Sequence, residues 1–266
     1  MNSVLRVTPS LSFGSRRSLY ILERNIMAYK RQWPVFVSGF FEPLFYLLSL
    51  GIGLNSLVGH LDVGGQSVSY AAFVAPGMLA TSSMNGGVID SIYNVFFKLK
   101  VSHVYEPVLS TPLDVNDVAL GEVWWSLTRG ALYATSFIIC MALLGDAGSP
   151  WVILCLPGAV LTSFAFACVG LAACTYMRSW QDFDTVTLVT LPLFLFSATF
   201  FPLSLYPTWL ASIVIFSPLY QSATLLRGLS LGSFSWVMLV HVAYLFVMGL
   251  VGLSVAARRF QRILAP

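Results

Sequence analysis

Four charged side chains lie within stretches that are otherwise almost free of charge: Glu42, Asp90, Glu122 and Arg129. If these stretches cross a membrane, each charge is costly and needs a counter-charge or a functional role. Because Arg129 is the single base among three acids, we expect an interhelical ion pair, either Glu42–Arg129 or Asp90–Arg129. A substrate or proton pathway is the alternative, and the lack of acids through the outer half of the same stretches argues against it.

The sequence lacks the motifs with which this chain would bind nucleotides or metals by itself. The patterns G-x-x-x-x-G-K-[ST] and H-E-x-x-H are absent, so neither a phosphate-binding loop nor a zinc protease site is predicted. The three histidines, His60, His103 and His241, fall in different layers and cannot share a metal ion. The four cysteines lie in apolar runs without ligand or disulfide spacing. We therefore expect a non-catalytic chain that holds no cofactor and no metal.

The composition excludes a water-soluble protein. Of the 266 residues, 57% are apolar and 9% are charged, whereas soluble domains carry about 25% charged residues. The net charge of +3 gives no reason to expect a nucleic-acid partner. Uncharged runs of about 20 residues predict an all-α membrane protein with six transmembrane helices. The predicted spans are roughly Val35–Val58, Tyr70–Asn94, Trp124–Leu144, Trp151–Met177, Val186–Leu205 and Phe234–Ala257.

The distribution of basic residues predicts the orientation. Twelve of the 14 Lys and Arg residues fall in the N-terminal segment, the 98–120 and 177–184 loops and the tail, whereas the opposite loops contain only Arg227. Loops rich in Lys and Arg face the cytoplasm, so both termini are predicted to be cytoplasmic, in agreement with an even number of spans. The chain then divides into a cytoplasmic N-terminal segment (1–33), a membrane domain (34–257) and a cytoplasmic tail (258–266).

The apolar stretch before the last span, residues 206–233, is too interrupted to be a seventh crossing. It is broken by Pro218, Gly228 and Gly232, and it carries Arg227. A crossing here would also move the basic tail to the outside. We expect two short extracellular re-entrant helices buried against protein, with a loose external loop as the alternative.

The N-terminal segment predicts an amphipathic helix that lies in the membrane interface. Apolar residues recur there at three- and four-residue intervals, with cations on much of the remaining surface. The apolar row is Leu19, Leu22, Ile26, Tyr29 and Trp33. A simple positively charged anchor would explain the cations equally well, but it would not explain the apolar spacing.

The loop at 98–120 is the most informative polar segment. Residues Val101–Ser110 can form a short helix that stops at Pro112, and Asp114 with Asp117 predicts the N-cap of the third span. A short mixed helix in the cytosol is a docking element for another protein, and a plain surface loop is the alternative. The candidate contact residues are His103, Tyr105, Glu106, Val108 and Leu109.

An aromatic cluster lies at the outer end of the predicted fifth span. Its members include Phe194, Phe200 and Phe201, close to Tyr206 and Trp209. One interpretation is an interfacial aromatic belt. The other is that Phe194, Phe200 and Phe201 line a path for an amphiphilic substrate.

Five segments in order resemble the type-2 ABC exporter permeases, most closely the nodulation-factor exporter branch, with the daunorubicin-resistance permeases as more distant relatives. The segments are FFEPLFYLLSLGIGL (Phe40–Leu54), AFVAPGMLATSSM (Ala72–Met84), YEPVLSTPLDVNDVALGE (Tyr105–Glu122), FFPLSLYPTWL (Phe200–Leu210) and SPLYQSATLLRGL (Ser217–Leu229). The resemblance covers nearly the whole chain, and it is more specific for the family than for the exported substrate.

The resemblance implies a half-transporter in the bacterial plasma (inner) membrane. Such a permease pairs with a second copy or a paralogue and with two cytoplasmic ABC ATPase subunits, which bind ATP and Mg. It also implies that an N-terminal helix, about Leu11–Trp33, contacts the ATPase and that Val101–Ser110 is the coupling helix. The substrate is then amphiphilic: a lipid-linked saccharide, a glycolipid or a drug. A stand-alone secondary carrier and an antibiotic or multidrug efflux permease remain alternatives, and an intramembrane enzyme is disfavoured.

Overall fold

The computed structural model describes residues 17–30, 41, 44–45, 47–49, 53, 58–63, 66–145 and 149–264, and these are mostly helical. The predicted first span and the ends of the N-terminal segment therefore lie largely outside the described residues. The predicted charge at Glu42 lies outside them as well.

The first half of the described chain contains a separate N-terminal helix, a small hairpin and two long helical rods. Its elements are α1 (Ser18–Tyr29), β1 (His60–Val63), β2 (Gln66–Ser69), α2 (Tyr70–Ile89) with π-helical continuations at Asp90–Asn94 and Phe97–Val101, α3 (Tyr105–Leu109) and α4 (Val115–Leu144). The antiparallel hairpin pairs His60 with Ser69, and it is the one departure from the predicted all-α architecture within the described residues.

The second half begins with a 3-10 turn that leads directly into a long helix. Its elements are the turn Pro150–Leu154, α5 (Cys155–Cys174), α6 (Asp182–Leu195), a short turn at Leu203–Leu205, α7 (Thr208–Val214), α8 (Pro218–Leu231) and α9 (Val237–Leu264). Helix α9 runs without a break past residue 257, so residues 258–264 of the predicted cytoplasmic tail continue the last helix.

Helix starts agree with local capping chemistry. The Ser69 hydroxyl accepts a hydrogen bond from the Ala72 backbone N–H at 3.2 Å and begins α2. The Asp117 carboxylate accepts the Asp114 N–H at 3.1 Å in a capping box that begins α4, as predicted. Helix α4 therefore starts at Val115, about two and a half turns before the predicted span, because its N-cap precedes the apolar run in the sequence.

Helix α5 is the centre of the bundle and packs against α2, α4 and α9. Small residues allow these backbones to approach closely, as is usual between membrane helices. A Cβ at Gly87 of α2 would lie 2.7 Å from the Ser163 carbonyl oxygen, and one at Gly252 of α9 would lie 2.8 Å from the Cys168 carbonyl carbon. Any larger side chain at either position would push two rods apart.

Three described helical segments are long and apolar enough to cross a membrane: Val115–Leu144, Pro150–Cys174 and Val237–Leu264. Helices α7 and α8 pass the same test only as a pair, and they are bent by 83° at their junction. Helix α2 is not among these three segments, and most of its residues are buried within the bundle. The protein thus has the long apolar helices of a multi-pass membrane protein.

The predicted fifth span is helical only in its first part. Helix α6 ends at Leu195, so its 14 residues rise about 21 Å. The chain then turns through Ala198, which has a positive φ of 53°, and the buried hydroxyls of Ser197 and Thr199 lie 2.7 Å apart. The prediction of one helix over Val186–Leu205 is wrong beyond Leu195 because side-chain hydrogen bonds in this turn replace the helical ones.

The bundle has two ends, a basic end and a far end. The basic end is the one where α5 ends and α9 terminates, because the Arg259 guanidinium donates to the Thr175 carbonyl there. The far end contains the start of α2 at Phe73 and the turn at Ala198. Lys98 lies at the basic end, close to the segment that precedes α3.

Candidate functional site

A buried charged cluster joins three separate elements at the basic end. The Lys98 ammonium lies 2.8 Å from Glu122 Oε2 of α4 and donates to Asn25 Oδ1 of α1 at 3.0 Å. The Asn25 amide in turn donates to Glu122 Oε2 at 3.1 Å. Arg24 lies 3.6 Å from the other Glu122 oxygen. All partners of the Glu122 carboxylate come from other elements, so the cluster fixes α1 and the α2 rod against α4.

Helix α1 reaches this cluster because α4 has a glycine at the crossing. A Cβ at Gly121 would lie 2.4 Å from the Cβ of Ile21, so only glycine permits this approach. The residues buried against α4 are Ser18, Ile21 and Asn25, whereas Leu19 and Ile26 of the predicted apolar row are about half exposed. The predicted helix is present, and Leu19 and Ile26 of its apolar row face outward, whereas Tyr29 of the same row packs against Trp125.

A second ion pair lies further along the same helices. Arg129 of α4 pairs with Asp90 of the α2 rod, and it also donates to the Tyr133 hydroxyl at 2.9 Å. The Ser126 hydroxyl donates to the other oxygen of Asp90 at 3.1 Å. Of the two expected pairings, the described residues contain Asp90–Arg129, while Glu42 lies outside them. Glu122, which we grouped with Arg129, instead binds Lys98.

Tyr29 of α1 packs beside the Asp90–Arg129 pair. Its hydroxyl donates to Asn94 Oδ1 at 2.9 Å, and its ring centroid lies 5.0 Å from that of Trp125. The Arg129 guanidinium carbon lies 5.9 Å from the Tyr29 ring centroid. Burial, with a smaller contribution from Asp90, raises the pKa of Tyr29 to about 12, so the phenol remains a proton donor at neutral pH.

The sequence analysis missed Lys98, Asn25 and Tyr29 as members of this site. A signal was present: polar residues recur every four positions on the α2 rod, at Asp90, Asn94 and Lys98. They were overlooked because a lysine at the end of a span is ordinarily explained by the positive-inside rule, which gives it no partner.

The short helix α3 is anchored to the body of the protein by Tyr105. This side chain is 1% exposed, and its ring packs edge-on against Phe260 of α9 with centroids 6.1 Å apart. The Tyr105 ring thus fills the interior, and its predicted contact with a partner protein stays a prediction. Burial and the nearby Glu122 carboxylate raise the pKa of Tyr105 well above its usual value. The backbone of the same segment is tied to the rod, since the Val104 N–H donates to the Lys98 carbonyl at 2.9 Å.

The exposed side of the α3 segment is polar. His103 Nδ1 lies 2.9 Å from Glu106 Oε1, and both side chains are exposed, as is Pro107. Val108 and Leu109 are half-buried against the core. The structure thus separates the five predicted contact residues into an exposed polar pair, two half-buried aliphatic side chains and the buried Tyr105.

The predicted aromatic path residues do not form one surface. Phe194 and Phe200 pack edge-to-face with centroids 5.1 Å apart and are half-buried, whereas Phe201 is exposed. The belt and the substrate path both remain predictions for this cluster.

Arg227 of α8 is a buried cation at the far end that the sequence analysis treated as an ordinary loop residue. It donates to the Phe73 carbonyl at 3.1 Å and to the Ala198 carbonyl at 3.0 Å, and its guanidinium carbon lies 3.9 Å from the Phe73 ring centroid. No acidic side chain within the described ranges forms an ion pair with it. Arg227 therefore ties α8 to the start of α2 and to the turn after α6.

The described part of the chain holds neither a metal-ligand cluster nor an exposed hydrolase nucleophile. No three His, Cys, Asp or Glu residues converge there as metal ligands. Residues 228–232 read Gly-Leu-Ser-Leu-Gly, a G-x-S-x-G pattern, but they end helix α8 and Ser230 is buried. A hydrolase serine stands instead on an exposed turn between a strand and a helix, so this pattern carries no nucleophile.

Comparison with known proteins identifies the family to which this helical bundle belongs. A family model described as ABC-2 type transporter matches residues 17–231. The chain therefore belongs to the ABC-2 type transporter family and is a multi-pass membrane protein. This match confirms the resemblance to type-2 ABC exporter permeases.

Several curated relatives share one name. The chain is 32% identical to nodulation protein J of Rhizobium leguminosarum bv. viciae over 259 residues, which cover 95% of this chain and 98% of that protein. It is 35% identical to nodulation protein J of Rhizobium leguminosarum bv. trifolii over 225 residues, 84% of each chain. It is 33% identical to nodulation protein J of Rhizobium meliloti (strain 1021) over 226 residues, 84% of this chain and 82% of the relative.

Proposed function

We propose that this chain is the permease subunit of an ATP-driven exporter that moves an amphiphilic substrate out of the cytoplasm or the inner leaflet. The substrate class is a lipid-linked saccharide, a glycolipid or a drug. Membership of the ABC-2 type transporter family and the nodulation protein J relatives support this function. The sequence has no phosphate-binding loop, so ATP and Mg are bound by separate cytoplasmic ATPase subunits. The permease pairs with a second copy or a paralogue.

The proposed arrangement in the bacterial inner membrane has six spans and cytoplasmic termini. The N-terminal segment (1–33) contains the interfacial helix α1, the membrane domain covers 34–257, and α7 with α8 forms the extracellular re-entrant element. The 83° bend between α7 and α8 supports a hairpin that enters and leaves on one side. The basic residues at the end of α9 support a cytoplasmic C-terminus.

The observation that supports the proposal most directly is that the α3 segment is exposed on one side and packed against the bundle on the other. Its His103–Glu106 pair is exposed for docking, while Tyr105 packs on Phe260 of α9. When ATP closes the partner subunits, a docked α3 moves with them. The movement passes to α9 through Tyr105, and through Lys98 and Glu122 to α1 and α4. Such rigid-body motion biases a two-state permease between inward-open and outward-open forms.

Charge reversal on the exposed side of α3 tests this function. Glu106→Lys should lower ATP-dependent uptake of a fluorescent lipo-oligosaccharide into inside-out vesicles at least tenfold, while insertion and melting temperature stay unchanged. Asp184→Lys is the matched control, because Asp184 is an exposed acid on α6 outside the α3 segment. Uptake that is unchanged by Glu106→Lys would contradict the coupling role.

The same vesicles separate an ATP-driven exporter from a secondary carrier. With the ATPase subunits present, uptake should require ATP hydrolysis and should persist after ion gradients are dissipated. Uptake by the purified permease alone, driven by an ion gradient, would overturn the proposal.

A further inference from the structure

A groove of about 570 Å³ opens on the bundle surface between α5 and α6. Its volume lies within the range of about 300–1,000 Å³ that is typical of small-ligand sites. The walls are apolar over most of their length and come from α2, α5 and α6. The side chains that form them include Ile92, Phe166, Val169, Val186, Val189 and Leu193.

The groove is amphiphilic because the charged side chains of its lining cluster at the basic end. Arg178, Asp182, Thr185 and Tyr176 line that mouth. Arg259 adds a second cation there, since its guanidinium carbon lies 4.2 Å from the Tyr176 ring centroid. The mouth therefore brings two guanidinium groups to one side of an apolar channel.

Asp182 is the one acid among the described residues that line the groove, and its carboxylate is engaged by the backbone. The Asp182 carboxylate accepts the N–H groups of Arg178 at 2.6 Å and Ser179 at 3.1 Å. These two bonds hold the pKa of Asp182 below its usual value, so it stays ionised. With two guanidinium groups and one carboxylate, the mouth keeps a net positive charge.

The length of the groove fits one leaflet of a bilayer. Along α6, the distance from Asp182 to Leu193 corresponds to about 16 Å at the helical rise per residue. Half of a hydrocarbon core of about 30 Å is about 15 Å. An acyl chain that lies in this groove would thus place its headgroup beside Arg178.

A second groove of the same volume provides an internal comparison. It lies between α4, α5 and α9, and residues such as Leu127, Val160, Phe164 and Phe246 line it. Its described lining contains no charged side chain. The two grooves are therefore similar in volume and apolar character. Of the two, the α5–α6 groove is the one that can select for headgroup charge, because charged side chains line its mouth.

We propose that the α5–α6 groove is a specific site for one acyl chain of an anionic glycerophospholipid, with its phosphate bound by Arg178 and attracted by Arg259. Basic pockets between membrane helices are known to bind anionic headgroups. The site depends only on the chain being a membrane protein, so it stands independently of the exporter function proposed above.

Native mass spectrometry of the purified full-length protein tests the site. The protein is incubated with equal amounts of phosphatidylglycerol and phosphatidylcholine of the same acyl chains, and the lipids retained per chain are counted. The wild type should retain one phosphatidylglycerol in preference to phosphatidylcholine. Arg178→Gln should lower this preference about fivefold. An interfacial basic residue contributes ~1 kcal/mol to the binding of an anionic lipid, and this energy corresponds to about a fivefold change in affinity.

A substitution in the wall separates the acyl chain from the headgroup. Val189 is more than half exposed, so Val189→Trp should leave the fold intact while it fills the groove and abolishes retention of the preferred lipid. Two controls should behave as wild type: Arg262→Gln, an exposed cation on α9 that does not line the groove, and Leu127→Trp in the uncharged groove.

Three results would overturn the proposal. One is an Arg178→Gln protein with wild-type phosphatidylglycerol preference. Another is retention that Val189→Trp leaves unchanged. The last is efficient cross-linking of Val189→Cys between two chains with no lipid retained, which would show that a second copy covers the groove.

Discussion

The two ends of the bundle stabilise buried basic side chains in different ways. At the basic end, Lys98 and Arg129 are paired with the carboxylates of Glu122 and Asp90. At the far end, Arg227 is 8% exposed and donates to the backbone carbonyls of two separate segments. The buried cations of the basic end thus pair with carboxylate side chains, whereas the buried cation of the far end donates hydrogen bonds to backbone carbonyls.

This difference has an energetic consequence. Removal of one member of a buried ion pair leaves the other charge without compensation, which typically costs about 3–5 kcal/mol. Removal of Arg227 eliminates its hydrogen bonds but also eliminates a buried cation that has no described counter-ion. The basic end should therefore be sensitive to single charge deletions, and the far end should be sensitive to the geometry of the guanidinium group.

The largest effect is expected at Glu122. Glu122→Ala leaves Lys98 buried and removes acceptors for Asn25 and Arg24, so it should destabilise the protein by about 3–5 kcal/mol. Denaturant titration in mixed micelles would measure this loss. The double variant Lys98→Met/Glu122→Leu should recover most of the stability, and a double variant as unstable as Glu122→Ala would show that the ion pair is not the cause.

The second ion pair should show a comparable but smaller loss, because Ser126 and Tyr133 retain partial compensation. Asp90→Asn and Arg129→Gln are each expected to cost about 2–4 kcal/mol. The exchange Asp90→Arg/Arg129→Asp should restore insertion and folding that are lost in the single charge reversals. If exchange gives no rescue, the pair has no direct role in folding.

Arg227 offers the sharpest contrast between the ends. Arg227→Met is expected to cost about 1–3 kcal/mol, because two charge-assisted hydrogen bonds are lost while the desolvation of the cation is relieved. Arg227→Lys should be at least as destabilising, since one ammonium keeps the buried charge but lacks the fork that reaches Phe73 and Ala198. Melting temperatures would show which of the two variants is less stable. An Arg227→Lys protein as stable as the wild type would contradict the role of the guanidinium geometry at the far end.

The smallest effect on stability is expected at the exposed pair of α3. His103 and Glu106 are solvated, so Glu106→Gln should change the free energy of unfolding by less than about 0.5 kcal/mol. The same denaturant titration would detect a larger change. A loss above about 1 kcal/mol would show that this pair supports the fold and is not a free docking surface.

The sequence alone determined the features that depend on neighbouring residues or on the solvent. Apolar runs predicted the α4, α5 and α9 rods because a helix in lipid must satisfy its own backbone. Asp114 with Asp117 fixed the start of α4, and Pro218 with the glycines of α8 marked the interrupted segment. Family-typical segments along the chain predicted a permease of the ABC-2 type.

Only the tertiary structure decided which residues meet across elements. Lys98 binds Glu122 and Tyr105 packs on Phe260 because α1, the α2 rod and α9 converge at the basic end, and no local spacing encodes such contacts. The end of α6 at Leu195 likewise depends on hydrogen bonds in the next turn and on Arg227, which lies 29 residues from Ala198. Local rules set where helices begin, but the partner of each buried polar group is a property of the whole packed bundle.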